Sequence, residues 1–161
     1  MHVPTISRIK TAAVATVLVA SVGLGATAQA ESREGKKATC SLKTVDAAPT
    51  AINAEDFGVL KCSGGLGEGV QHNTGKLSPT SATEGTLKGN STLFFDDGTV
   101  RATFSISYTL DGANITYGGT AKIRGGTGAF KGISGKAKLK GSSSDGGTHG
   151  SMTEKITYRL P

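Results

Sequence analysis

An unbroken alternation of apolar and polar residues over positions 99–110 constrains the fold of this chain more than any other feature. The apolar residues occupy every second position and are Val100, Ala102, Phe104, Ile106, Tyr108 and Leu110. Because successive side chains of a β-strand point to opposite faces, this period of two predicts a strand with one buried face. No helical stripe of useful length follows residue 30, so the sequence predicts an all-β domain.

Seven further stretches with alternating or β-rich sequence predict additional strands. They span residues 57–63, 68–73, 83–89, 91–96, 114–124, 133–140 and 152–160. Short turns between them, such as Asp111-Gly112, predict an antiparallel meander. About eight strands suit a closed barrel, whose interior is either filled by side chains or holds one small ligand. Glycines within strands, such as Gly119 and Gly135, favour this eight-stranded antiparallel β-barrel over the alternative, an open β-sandwich.

Residues 1–30 have the order of regions that is typical of a cleavable signal peptide. Arg8 and Lys10 precede an apolar run, and Ala28-Gln29-Ala30 supplies the small residues that a signal peptidase requires. The run, from residue 12 to residue 25, has about 14 residues against the roughly 20 of a spanning helix, which disfavours the alternative of a membrane anchor. We therefore predict a secreted or periplasmic protein with no transmembrane anchor, an N-terminal arm at 31–56 and a barrel domain at 57–161.

The charge of the predicted mature protein is mild. Loss of Arg8 and Lys10 leaves 16 basic residues against 12 acidic ones, a net charge of +4, and the chain has no tryptophan. Nucleic-acid binders have denser basic patches and aromatic stacking platforms, so we expect no nucleic-acid partner. Lys136, Lys138 and Lys140 alternate with apolar residues and must share an outer face. For these lysines we favour a solvated strand edge over an anion contact.

Two cysteines, Cys40 and Cys62, lie beyond the predicted signal peptide. An even number of cysteines in an exported protein predicts a disulfide. The alternatives are free thiols or a metal pair. Zinc normally needs four ligands, and neither His72 nor His149 has a zinc-like spacing from a cysteine. We therefore predict a disulfide bridge and no metal site.

The most specific motif is the segment 125–135, Gly-Gly-Thr-Gly-Ala-Phe-Lys-Gly-Ile-Ser-Gly. A strand rather than a helix follows it, so it does not fit a phosphate-binding loop. It predicts a tight turn with positive φ and an inward Phe130. The segment resembles the signature of dirigent proteins and allene oxide cyclases, and Gly89-Asn90-Ser91-Thr92-Leu93 is similar to a second segment of that family.

This resemblance covers residues 57–160. It implies an eight-stranded antiparallel barrel, assembly into trimers and an apolar cavity. It also implies ring closure or radical coupling without a cofactor, the chemistry of the plant members. Their catalytic acids have no motif match in this sequence, so no catalytic residue is carried over.

Four residues are candidate ligand contacts because they fall on the apolar faces of their strands: Tyr108, Tyr117, Glu154 and Tyr158. Glu154 is unusual, since it lies between Met152 and Ile156 on that face, and a buried carboxylate is costly without a partner. The simpler interpretation, which we favour, places Glu154 at an exposed rim and the tyrosines in the core with hydrogen-bonded hydroxyls.

Three functions are compatible with these patterns. The first is a barrel that binds a small apolar or amphipathic molecule in its lumen, with or without cyclase- or isomerase-like catalysis. The second is a non-catalytic cell-surface or extracellular interaction module. The third is a polyanion or cell-wall binder that uses basic strand faces. We rank them in this order and favour binding without catalysis; no Gly-x-Ser-x-Gly elbow or Ser-His-Asp order supports a hydrolase.

Overall fold

The computed structural model describes residues 35–47 and 52–161, so the predicted signal peptide at 1–30 lies outside the described residues. Eight antiparallel strands form one closed barrel, in which each strand pairs with the next and the last pairs with the first. The strands are β1 (Lys36–Asp46), β2 (Asn53–Cys62), β3 (Gly67–Pro79), β4 (Glu84–Phe95), β5 (Gly98–Asp111), β6 (Asn114–Gly126), β7 (Ser134–Ser143) and β8 (His149–Arg159). The predicted fold class is confirmed, and the open sandwich is excluded. In the two described ranges, no helix is long and apolar enough to cross a membrane.

The structure allots the eight strands differently from the sequence prediction. Residues 36–46, predicted as part of an arm, form β1 and close the barrel by pairing with β2 and β8. The stretches 83–89 and 91–96, predicted as two strands, form the single strand β4. Gly89 lies within this strand rather than in a turn. At this point β3 passes so close that a Cβ would collide with the carbonyl oxygen of Thr74, so the position requires glycine.

The inward faces of the strands form a single core. On β5 the predicted alternation holds, with Val100, Ala102 and Ile106 buried. The most deeply buried large side chains are those of Leu42, Leu60 and Tyr158, which come from β1, β2 and β8. Side chains therefore fill most of the lumen, as expected for a barrel of eight strands.

Cys40 and Cys62 form a disulfide between β1 and β2, with their Cα atoms 4.0 Å apart. The two residues lie directly opposite each other in the antiparallel register. The predicted bridge is confirmed, but it joins two strands of the barrel rather than an arm to the first strand.

The glycine-rich segment forms a tight turn between β6 and β7. Gly128 has a φ of 58° and begins a single turn of 3₁₀ helix that ends at Phe130. Phe130 is buried, and its ring centroid lies 5.1 Å from that of Phe95. The predicted turn and the inward Phe130 are confirmed, although Phe130 precedes β7 rather than opening it.

Lys136, Lys138 and Lys140 are exposed on the outer side of β7, as predicted. However, β7 pairs with β6 along one side and with β8 along the other. A strand that is paired on both sides has no edge to protect. The interpretation of these lysines as guards of a strand edge is therefore wrong.

Candidate functional site

Glu154 points into the barrel. It lies on β8, opposite Cys40 of β1 and Leu139 of β7, and only 5% of its surface is exposed. The period of two on β8 places it on the same face as the buried Ile156 and Tyr158. The interpretation of Glu154 as an exposed rim residue is therefore wrong, and a carboxyl group stands in the core.

The Gln71 side chain lies across the lumen from β8 and connects Glu154 to three further polar residues. Its Nε2 is 3.2 Å from Glu154 Oε1, 3.0 Å from Asn73 Oδ1 and 2.9 Å from Ser91 Oγ. Asn73 in turn donates from Nδ2 to Asp56 Oδ1 at 2.8 Å. We call these five residues the lumen polar cluster: Asp56, Gln71, Asn73, Ser91 and Glu154.

Strand register brings the cluster together from four strands. Asn73 of β3 lies directly between Asp56 of β2 and Ser91 of β4, and Gln71 is two residues from Asn73 on the same face. Glu154 reaches the group from β8, on the far side of the lumen. The cluster therefore exists only when the barrel is closed.

One acceptor in the cluster has no hydrogen-bond partner. Gln71 is 4% exposed. Among the buried side-chain nitrogen and oxygen atoms of the described residues, its Oε1 is the one that has no hydrogen-bond partner. The two hydrogens of Nε2 are meanwhile shared among three acceptors. A buried amide oxygen without a donor costs about 1–3 kcal/mol, so this atom is suited to accept a hydrogen bond from a bound group.

Burial controls the protonation of both acids in the cluster. Burial raises the pKa of the Glu154 carboxyl, the hydrogen bond from Gln71 opposes this, and the nearby Asp56 raises the pKa further. The pKa of Asp56 is also raised, chiefly by burial and against the hydrogen bond from Asn73. Both carboxyls therefore hold a proton to higher pH than exposed acids do.

A cavity of about 60 Å³ adjoins the cluster. Aliphatic and aromatic side chains form most of its wall, among them Leu87, Leu93, Val100, Phe104, Ile106 and Leu139. At the roughly 30 Å³ that one water molecule occupies in the liquid, the space holds about two waters. It suits a molecule of a few non-hydrogen atoms and is much smaller than a site for a drug-sized ligand.

The structure does not bring the three candidate tyrosines into this cavity, whose lining contains none of them. Tyr158 is buried, and its hydroxyl donates to the carbonyl oxygen of Gly64 at 2.7 Å. It therefore has the predicted core position with a hydrogen-bonded hydroxyl.

Tyr108 and Tyr117 lie opposite each other on β5 and β6. The Tyr117 hydroxyl donates to the carbonyl oxygen of Ser142 at 3.0 Å, and the Tyr108 side chain lies against Gly85 of β4. Of the four candidate ligand contacts, Glu154 alone lines the cavity, and a role of the tyrosines in ligand binding stays a prediction.

Sequence reasoning missed the other members of the cluster because the usual pattern is inverted on β3. Gln71 and Asn73 face inward, while Val70 between Gly69 and Gln71 faces solvent. An apolar residue normally indicates the buried face, so the pattern favours the wrong side.

The described residues contain no group of three or more His, Cys, Asp or Glu side chains placed to hold a metal ion. The lumen polar cluster offers two carboxyls, two amides and one hydroxyl beside an apolar wall. Such an arrangement can orient the polar end of a small molecule. No protein-family model matches this chain, and no curated protein matches it.

Proposed function

We propose that this protein binds a small amphipathic molecule in the lumen of its barrel. The observation that carries the proposal is the buried Gln71 Oε1, which lacks a hydrogen-bond donor and stands beside an apolar cavity. An apolar pocket with a few convergent polar groups is the general form of a small-molecule site. Binding needs no cofactor and no catalytic step.

The cavity selects for the chemistry of the ligand. Its polar end must donate a hydrogen bond, because Gln71 Oε1 can only accept one. Its other end must be apolar and short, because the wall is aliphatic and the volume is about 60 Å³. A short-chain alcohol or primary amide has both properties.

A series of primary alcohols from ethanol to hexanol tests this proposal, with the binding site followed by NMR through the side-chain amide signals of Gln71. We expect affinity to rise with chain length until the cavity is full and then to fall. The matched alkanes, which lack the donor, should bind more weakly by roughly the 0.5–1.5 kcal/mol of one hydrogen bond.

Two variants locate the site. Gln71→Met removes the acceptor at similar volume and should abolish the preference for alcohol over alkane. The control, Asn90→Ala, changes an exposed residue on the outer face of β4 and should leave that preference intact. If the Gln71 signals do not respond to any alcohol, or if Gln71→Met binds alcohols as the unaltered protein does, the proposal is wrong.

We further propose that the protein is exported and belongs with the allene oxide cyclase and dirigent-like barrels. Export is supported by the disulfide, because such bridges persist in oxidising compartments. Family membership is supported by the closed barrel of eight strands and by the tight turn at residues 125–135. Protein recovered from the culture medium of its host should begin at Glu31, and a sequenced N-terminus at Met1 would contradict the export proposal.

A second candidate function, an interaction module, is favoured by an apolar row on the outside of the barrel. Val59, Val70 and Phe94 lie directly opposite one another on β2, β3 and β4, and all three are exposed. Contiguous exposed apolar side chains typically indicate an interaction site. We propose that a second copy of the chain covers this row, in keeping with the trimer that the family resemblance implies.

Native mass spectrometry tests the second candidate. The unaltered protein should form oligomers, and Val70→Lys should shift it to monomer. Thr116→Lys, on the exposed face of β6, adds the same charge elsewhere and should not change the mass. A protein that is monomeric at every concentration would remove this candidate without affecting the lumen proposal.

A further inference from the structure

A second surface of the barrel carries positive charge without neutralisation. We call it the basic face and define it by six outward cations: Lys37, Lys122, Lys136, Lys138, Lys155 and Arg159. They come from four consecutive strands of the closed sheet, β6, β7, β8 and β1. They surround a surface depression of about 1020 Å³.

No acidic side chain lines this depression. The ion pairs of the described residues are Lys61 with Glu68, His72 with Glu55 and His149 with Asp145, and none of them involves the basic face. The mild net charge of the sequence is thus unevenly distributed, with six cations gathered on one side of the barrel.

The cations are also adjacent to one another. Lys122 lies directly opposite Lys136, and Lys138 lies directly opposite Lys155. Like charges in directly opposite positions of an antiparallel sheet destabilise it. Since β7 has no edge to protect, this cost is not explained by solubility of a strand edge. A bound polyanion would turn the repulsion into favourable contacts.

We propose that the basic face binds a linear acidic polysaccharide. Hydroxyl side chains line the same depression, from Thr39, Thr103, Ser105, Thr120, Ser134 and Thr157. The surface therefore offers ammonium groups for carboxylates or sulfates together with donors and acceptors for sugar hydroxyls. Along a strand, Lys136 and Lys138 stand about 6.6–6.8 Å apart, and neighbouring strands are about 4.7–4.9 Å apart, so the charges form a regular array.

Two other polyanionic partners fit this surface less well. The outward residues of the basic face include no aromatic ring on which a single-stranded base can stack, which disfavours a single-stranded nucleic acid. A membrane surface is disfavoured because the exposed apolar residues Val59, Val70 and Phe94 belong to β2, β3 and β4, outside the basic face.

The test compares two triple variants of the full protein by isothermal titration with polygalacturonate at low salt. The first, Lys136→Ser with Lys138→Ser and Lys155→Ser, removes the centre of the basic face. The control, Lys43→Ser with Lys76→Ser and Lys88→Ser, removes the same charge from exposed positions on β1, β3 and β4. The control also relieves one directly opposite lysine pair, Lys76 and Lys88, whereas the first variant relieves two, Lys122 with Lys136 and Lys138 with Lys155.

We expect the first variant to bind on the order of tenfold more weakly and with a smaller dependence of affinity on salt, while the control stays near the unaltered protein. Circular dichroism should show the same barrel in all three proteins. Equal losses in both variants would overturn the proposal, because the binding would then follow net charge alone. Tighter binding to duplex DNA or to phosphatidylserine vesicles than to polygalacturonate would also overturn it, in favour of a nucleic acid or a membrane. None of these outcomes depends on the lumen.

Discussion

Replacement of Glu154 by Gln should make the protein more stable near neutral pH and less dependent on pH. Glu154 is 5% exposed and accepts one hydrogen bond, from the side-chain amide of Gln71. This bond offsets little of the hydration free energy that the charged carboxylate loses on burial. A Gln side chain has nearly the same shape, keeps an oxygen for Gln71 Nε2 and carries no charge. Its own amide can also donate to the unpaired Gln71 Oε1.

The size of the effect follows from proton linkage. The native pKa of Glu154 is raised above its ordinary value of 4.5, so the folded protein holds this proton more tightly than the unfolded chain. The stability that the proton contributes is fully present below the unfolded pKa and is lost as pH rises through the native pKa. Within that window the free energy of unfolding falls by up to about 1.4 kcal/mol per pH unit for one proton. The Glu154→Gln protein lacks this loss and retains the contribution of Asp56, whose pKa is also raised.

Urea unfolding at a series of pH values, with the disulfide kept oxidised, measures the difference. The advantage of Glu154→Gln should be small near the unfolded pKa, grow with pH and then become constant. Glu84→Gln, an exposed acid at the start of β4, should follow the unaltered protein throughout. A Glu154→Gln protein that is destabilised equally at every pH would falsify the reasoning, because the pKa of Glu154 would then be the same in the folded and unfolded chain.

Three further changes should alter stability without touching the cavity. Paired replacement of Cys40 and Cys62 by Ser, which frees a loop of 22 positions, should lower the free energy of unfolding by roughly 3 kcal/mol in chemical denaturation; an unchanged midpoint would contradict this. Tyr158→Phe, which deletes the hydrogen bond to Gly64, should cost about 0.5–1.5 kcal/mol, or up to about 3 kcal/mol if the carbonyl is left dry. Gly119→Ala should lower the thermal midpoint by several degrees, because a Cβ there would collide with the backbone of β5. A midpoint equal to that of the unaltered protein would mean that β5 and β6 pack less closely.

The fold was predictable because its strongest signals are local. The alternation of β5 and the hairpin turn at Asp111-Gly112 depend only on neighbouring residues, and the structure has both. The strand β1 was not predictable as part of the barrel, because its buried face consists only of Ala38, Cys40 and Leu42 between exposed lysines. Its place is determined by partners on β2 and β8, and the latter lie more than a hundred residues away.

The candidate site was predictable only in part, and for a related reason. Glu154 stood out because it interrupts an apolar face, yet its burial depends on Gln71, a residue 83 positions away. No local pattern indicates that an amide on β3 meets a carboxyl on β8 across a closed lumen. Tyr158 fitted the expectation of a core residue because its hydroxyl needs only one backbone carbonyl nearby.

Closure of the barrel through β1 and β8 determines the order in which its edges are covered during folding. The strand β1 can pair on one side only until residues 149–159 form β8. During that interval β1 and β7 both present unpaired backbone groups, which are templates for pairing with other chains. The Cys40–Cys62 bridge can form early, because it needs only the hairpin of β1 and β2. It fixes the register of the first hairpin and leaves β8 as the single step that removes both open edges at once.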